Sequence, residues 1–472
     1  MRRPGTRNPG LETRDQRLAT RGGLALLLLL YFGFAVTYAR SVPTWQAPDE
    51  PAHYNYVRHL AEGRGLPVLQ AGDYDQAYLA RLTSEHFPAT LPVDALRYES
   101  HQPPLYYLLM TPVDLATGDS PVATRVVLLR LTTALLGLPL LALAYAATRL
   151  VAPALALAAT AFVALVPQHL ATLASVNNDV LGELGVTAIL YLVLRLKVRD
   201  ESTVGSAAVP AAGGPEARAP RPALQGGSHL QASALLGALA GGVLLAKTTA
   251  YVGLALIPLG LLLAAAGPAA RRLRQAVRQS SLASLAALFL AGWWFARNMI
   301  EYGWTDPTGQ ARHDLVVAGQ PAYAAFGWDA VSYFLAVTFR SFWAQIGWMA
   351  VPADESTYVL LGLVSGAAAL GLAACAWRAA RRRAVPVWGP GLWVSGVTLG
   401  LVAGALVAYN FRFIQPQGRY LFPALLPLAL FFALGISVWT GRRLAPWLAL
   451  PLVAGLALLN LQVLARMVPL LR

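Results

Sequence analysis

The sequence predicts an all-α polytopic membrane protein, a bundle of about eleven transmembrane helices with interfacial helices in its first outer loop. Two observations predict this fold class, and a third orients it. The 472-residue chain is 56% hydrophobic and only 13% charged, with a mean hydropathy of +0.51, too little polar surface to clothe a soluble core. Apolar runs long enough for a bilayer-crossing helix, about 17 to 24 residues, recur along the whole chain. With the N-terminus inside, the inner segments hold about 22 of the 37 Lys and Arg but about 5 of the 23 acids, roughly +17 against −3 outside. The net charge of +14 therefore reports orientation in the membrane and not a nucleic-acid partner.

In chain order, residues 1–21 form a basic cytoplasmic tail with Arg2, Arg3, Arg7, Arg14, Arg17 and Arg21. An N-terminal membrane module follows over 22–197. Its first span, 22–40, is too long for a cleaved leader and is retained; the next three are expected at 126–148, 152–172 and 179–197. Between the first two lies an outer loop, 41–125, rich in Tyr and scattered acids. Segment 198–230, rich in Ala, Gly, Pro and Ser, reads as a disordered cytoplasmic linker. The C-terminal module, 231–472, carries spans at 231–249, 251–267, 281–300, 357–377, 388–409, 420–440 and 444–466. A second outer loop, 301–356, holds Trp304, Trp328, Trp343 and Trp348, residues that favour the interface between lipid and water. The single cysteine, Cys375, excludes a disulfide framework or a thiolate metal site.

The acids of the first outer loop open it. Pro48-Asp49-Glu50-Pro51 follows the first span directly, and a proline in the first turn suits a helix over 49–62 with Asp49 at its N-cap. That helix sets Asp49 and His53 on one side, with Glu50 and Tyr54 beside them. Further along, Tyr98-Glu99-Ser100-His101-Gln102-Pro103-Pro104 holds Glu99, His101 and Gln102 on an extended stretch ahead of a short helix, because a residue before proline avoids the α region.

Asp179 stands at the outer end of the fourth span, and Glu183 one turn further in is costly unless it faces a cavity or a partner. Lys247, Arg297 and Arg419 sit at the outer ends of their spans. They either snorkel or bind an anionic headgroup, for which arginine offers a two-pronged fork. No P-loop, dinucleotide-binding glycine pattern, HExxH or GxSxG occurs, so nucleotide hydrolysis and zinc proteolysis have no support.

Three ordered signatures, Pro48-Asp49-Glu50-Pro51-Ala52-His53, Gln102-Pro103-Pro104-Leu105-Tyr106-Tyr107 and Gln417-Gly418-Arg419-Tyr420-Leu421-Phe422-Pro423, together resemble the GT-C superfamily of membrane glycosyltransferases. Protein O-mannosyltransferases and lipid A aminoarabinose transferases are relatives of this type. The resemblance implies transfer of a sugar, hexose or pentose, from a polyprenyl-phosphate donor to a glycan, lipid or protein on the outer face of a bacterial cytoplasmic membrane. It makes Asp49 the general base and Glu50 its companion acid. Asp179 falls where relatives often carry a further acid.

Relatives differ in their need for a divalent cation, and Asp49, Glu50 and Asp179 are the oxygen ligands this sequence offers for one. The residues themselves suit such chemistry. An acceptor hydroxyl needs a positioned carboxylate, and a departing phosphate needs cations such as Arg297, Arg419 and Lys247. Expected substrate contacts are His53, Glu99, His101, Gln102, Asp179, Lys247, Arg297 and Arg419. Two other classes compete: a polymerase or ligase of lipid-linked oligosaccharides, and a transporter or flippase of envelope precursors. The first usually works from a late outer loop rich in Arg and His, and here the acids lie in the first loop. The second tends to show internal repeats, and none is visible.

Overall fold

The computed structural model describes residues 14–207, 226–265, 267–323, 327–381, 389–441 and 443–472. Seven helices among them are long and apolar enough to cross a membrane, or eight if one bent pair is counted as a single span. Each of the eleven expected spans falls on a helix or a broken helix. Three of them do not meet that test, because α8 carries charge and the two spans after it are short. The chain is a multi-pass membrane protein built almost entirely of helices.

Helix α1 (Arg14–Ser41) leads into a long connection containing α2 (Glu50–Ala61), α3 (Gln76–Ser84), a 3-10 turn at Tyr98–His101 and α4 (Leu105–Thr117). Then come α5 (Val122–Val151), α6 (Ala156–Leu165), α7 (Pro167–Leu173) and α8 (Asp179–Ala207). After α9 (Gly226–Ala246) the chain passes through a 3-10 turn, Thr248–Ala255, to α10 (Leu256–Ala264), α11 (Ala269–Tyr302), α12 (Gln310–Val316) and α13 (Trp328–Trp343). The last spans are α14 (Glu355–Arg381), α15 (Pro390–Asn410), α16 (Leu425–Thr440) and α17 (Ala449–Gln462). A two-residue antiparallel pairing of Gln345–Ile346 with Val351–Pro352 closes a tight hairpin after α13.

Both ends of the segment expected as a linker, 198–230, are helical. Helix α8 runs on to Ala207 and α9 begins at Gly226, while residues 208–225, like tail residues 1–13 with Arg2, Arg3 and Arg7, lie outside the described residues. Composition marks where a chain gains little from burial, but it does not weigh a helix growing outward from an anchored span.

Helices α6 and α7 meet at 64°. Pro167 supplies no N–H and pushes Val166 out of the helical region, to ψ 119°. The carbonyls freed there are bonded by side chains: His169 Nδ1 donates to Val163 O at 2.6 Å and Asn460 Nδ2 to Leu165 O at 2.8 Å. Asn460 also accepts from Tyr38 OH at 3.0 Å, tying α17 to α1. In an apolar surrounding each such bond removes the large cost of an unsatisfied group.

The anchors of the second long loop divide. Trp343 is buried against Phe162 and Trp348 donates to Trp45 O at 2.9 Å, whereas Trp304 and Trp328 are largely exposed. Within the first connection, Arg58 of α2 pairs with buried Asp114 of α4 at 3.0 Å. Asn55 adds two hydrogen bonds, to Val93 O and Leu96 O.

Candidate active site

Asp49 and Glu50, adjacent in sequence, do different things. Asp49 sits at φ 64° in the left-handed region and does not cap α2 with its side chain, contrary to expectation. Its carboxylate turns instead to Tyr98 OH, which donates at 2.8 Å, and to the Arg419 guanidinium. The positive φ on a non-glycine residue is unfavourable and persists only where surrounding contacts over-determine it. Here they do so by aiming the carboxylate across the connection at a residue of the last module.

Glu50 points the other way and is fully buried. Both of its oxygens accept from Arg130, at 2.7 and 2.6 Å, and from the backbone N–H groups of Val176 and Trp45, both at 3.1 Å. Arg130 spends its remaining donors on the carbonyls of Ala39, Val42 and Pro43. This closed cluster locks α2 to α1 and α5. The expectation that Glu50 works beside Asp49 does not survive it, since no oxygen of Glu50 is left for a substrate and Glu50 lines neither cavity at the site.

Two cavities meet at Asp49. The first, about 250 Å³, is lined by His53, Glu99, His101, Gln102, Asp179, Lys247, Thr248, Gln310, His313 and Arg419 over an apolar wall that includes Val252, Val402, Ala405 and Leu406. The second, about 320 Å³, shares Asp49, Glu99, His313, Tyr409, Arg419 and Tyr420 with the first. It adds Tyr74, Gln76, Gln320, Trp348, Gln415 and Gln417. A larger groove of about 630 Å³ between α10 and α11 offers only Ser280, Ser281 and Ser284 among apolar side chains, no acid, base or cation.

Charge at the junction is nearly balanced in pairs. Asn177 Oδ1 accepts from Asp179 N at 2.8 Å at the start of α8, leaving the Asp179 carboxylate free to meet Lys247 Nζ at 2.6 Å. Lys247 also donates to Asn178 Oδ1 at 2.8 Å. Arg419 is set by its neighbour. Gly418 lies so close to α13 that a Cβ would stand 2.3 Å from Phe342 N, and its own N–H donates to Ser341 Oγ at 2.8 Å. Burial alone would raise the Asp49 carboxyl, but the charge and hydrogen bond of Arg419 and the hydrogen bond of Tyr98 outweigh it and hold it below its ordinary range.

Two imidazoles of the loop, His53 and His101, are pushed toward their neutral forms. Burial first, then the Lys247 charge, pushes His53 down to about 3, and its Nδ1 lies 2.8 Å from Tyr107 OH. Burial and the neighbouring His313 lower His101 well below its usual value. His101 Nδ1 donates to Tyr98 O at 3.0 Å, and its ring lies 4.3 Å from that of His313.

Glu99 is the exception to the pairing. Its Oε2 is buried with no hydrogen-bond partner. Burial, then the charge of Asp49, pushes its carboxyl up to about 7.

Among solved structures, the chain superposes on the apo oligosaccharyltransferase of Archaeoglobus fulgidus with a TM-score of 0.52. The two are 14% identical, and the match covers 98% of this chain and 56% of that one. The fold is GT-C-like. ArnT from Cupriavidus metallidurans bound to undecaprenyl phosphate gives a TM-score of 0.49 at 16% identity, over 97% of this chain and 74% of that one. The oligosaccharyltransferase tethered to an acceptor peptide gives 0.45 at 14%, over 95% and 54%. The chain thus spans little more than half the length of the oligosaccharyltransferase it matches. No protein-family model and no curated protein matches it.

Within this GT-C-like frame, eight of the ten expected site residues converge on the junction: Asp49, His53, Glu99, His101, Gln102, Asp179, Lys247 and Arg419. Arg297 does not. Its guanidinium donates to Pro67 O at 2.6 Å and to Asn298 Oδ1 at 3.0 Å and stacks over Trp294, so it clamps the first connection onto α11. Among the described residues no group of three His, Cys, Asp or Glu side chains is arranged to hold a metal ion. Glu50 is held by Arg130, Asp49 meets Arg419 and Asp179 meets Lys247, so each expected oxygen ligand faces a cation already.

Sequence reasoning missed His313, Gln310, Tyr98, Tyr409 and Tyr420. Tyr98 and Tyr420 lie within segments that were singled out, next to Glu99 and Arg419. Gln310 and His313, in an ordinary short helix, carry no local signal.

Proposed function

We propose that the protein transfers a sugar from a polyprenyl-phosphate donor to an acceptor hydroxyl, with inversion at the anomeric carbon. One observation carries this reading: two cavities of unlike lining meet at a carboxylate–guanidinium pair, Asp49 with Arg419, with a second cation, Lys247, in the same wall. The first cavity combines Lys247 and Arg419 with apolar side chains of the spans, which suits a phosphate on a lipid tail. The second offers four glutamine amides and the rings of Tyr74, Trp348, Tyr409 and Tyr420, which suits an uncharged acceptor rich in hydroxyls.

The chemistry follows from that division. The acceptor oxygen attacks C1 from the face opposite the phosphate, a carboxylate of the junction takes its proton, and the bond from C1 to the phosphate oxygen breaks. Arg419 and Lys247 stabilise the charge that develops on the leaving phosphate. Resemblance to the GT-C superfamily supports the same reading, and the shared fold supports it by analogy alone. The uneven distribution of basic residues supports an N-terminus on the cytoplasmic side with the junction at the outer face, and the bacterial setting rests on the resemblance alone.

The test is a panel of undecaprenyl-phosphate-linked sugars given to the purified protein, following which is consumed and the anomeric configuration of the product. One donor is expected to be consumed with inversion, and Asp49→Asn to stop consumption in a protein that still folds. Consumption of none, or retention of configuration, would count against the reading.

A further inference from the structure

We infer that Glu99, and not Asp49, is the group that takes the acceptor's proton, while Asp49 is a positioning residue that holds Arg419 toward the leaving phosphate. The inference rests on the transfer reading above and deepens it.

Hydrogen-bond accounting at the junction separates the two carboxylates. Asp49 Oδ1 accepts from Tyr98 OH and Oδ2 from Arg419. To take a proton it would have to surrender bonds that stabilise its charged form, and a carboxylate so held is a weak base. Glu99 Oε2 is buried with no partner at all. A buried carboxylate oxygen left unbonded is costly, and its retention is explained if a substrate hydroxyl fills the vacancy. Position agrees, because Glu99 lines both cavities.

Its surroundings suit a base at neutral pH. Burial and the Asp49 charge raise its carboxyl to about 7, against the opposing influence of Lys247, His313 and Arg419, the charged and titratable groups that face it from the neighbouring elements. The hydroxyl of the adjoining Tyr98 donates to Asp49 and so gives Glu99 no hydrogen bond.

The step balances. The acceptor O–H bond breaks and its proton goes to Glu99 Oε2. The oxygen's electron pair forms the new bond to C1, and the pair of the old C1–O bond leaves on the polyprenyl phosphate. Glu99 then returns its proton to water.

A nucleophile that carries no proton separates base catalysis from every structural role. Purified protein is given undecaprenyl phosphate bearing glucose, galactose, mannose or arabinose, and release of undecaprenyl phosphate is followed with methanol or with azide. The native protein is expected to use both nucleophiles, with a methanol rate that falls away below about pH 7. Glu99→Gln is expected to lose methanol-dependent release by about 10²- to 10⁴-fold and to keep azide-dependent release, giving a glycosyl azide of inverted configuration. Asp49→Asn is expected to lose both, because it disturbs the phosphate side.

Glu99→Gln keeping the native methanol rate and its acid limb would overturn the assignment. So would equal loss with both nucleophiles in a variant whose heat stability still rises on adding donor. Release from none of the four donors by the native protein would instead remove the transfer reading, and the assignment with it.

Discussion

Arg419 donates to the carboxylate of Asp49 across 370 residues of sequence, joining the turn that precedes α16 to the start of α2. The pair lies at the junction of both cavities and is only partly open to solvent, with side-chain exposures of 10% and 21%.

Breaking this pair from either side should not give the same result. Arg419→Lys keeps the charge but loses the fork, so donor KM should rise with little change in melting temperature. Arg419→Ala leaves Asp49 uncompensated and should also destabilise, by about 1–3 kcal/mol. Donor titrations and thermal melts on both variants check this; identical donor affinity in all three proteins would reduce Arg419 to an anchor.

Glu50→Gln is expected to act on stability and not on chemistry. It removes the charge facing a fully buried Arg130, a change that typically costs about 3–5 kcal/mol. The variant should give a lower yield of monodisperse protein and a lower melting temperature. A well-folded Glu50→Gln protein without transfer activity would return Glu50 to the reaction.

Gly418→Ala tests how Arg419 is placed. A Cβ there would meet Phe342 N and Cα at 2.3 and 2.4 Å, backbone atoms that cannot swing aside as a side-chain end does. The turn must shift, and Arg419 with it. Donor use should fall at least tenfold, while α13 and α16 remain folded by circular dichroism. Unaltered donor use would show that the turn tolerates the methyl group.

Glu99 gives a pH dependence of definite sign. Its folded value, about 7, lies above its unfolded value of 4.5. Between those values the folded protein binds more protons than the unfolded chain, so stability falls as pH rises through that window and levels off above it. Asp49 is the opposite case: its folded value lies below 3.8, and its contribution is present above that pH and lost as pH falls further. Glu99→Gln should therefore melt at the native temperature near pH 5 and above it near pH 8. Parallel melting curves across that range would contradict the burial argument.

Much of this was legible in the sequence. Apolar run length marked most of the spans, because a helix must be about 20 apolar residues long to cross a bilayer, and the Pro-Pro pair and Pro51 announced where the chain would turn or start a helix. Charged residues at the ends of spans stood out against an apolar background, so eight of the ten expected site residues reached one junction.

Composition and run length were enough to establish a helical membrane protein and to pick out the short stretches able to carry acids and bases to the surface. Only the tertiary structure decided which of two adjacent carboxylates faces a cavity. Asp49 and Glu50 differ by one peptide unit, and their separate fates depend on Arg130 from α5 and Arg419 from the turn before α16. Likewise Arg297 became a clamp, and Glu99 Oε2 was left without a hydrogen-bond partner, through packing between elements far apart in the chain. Local sequence sets backbone direction and polarity. Hydrogen-bond partners come from long-range packing, and at this site the partner decides whether a carboxylate is a fastening or a base.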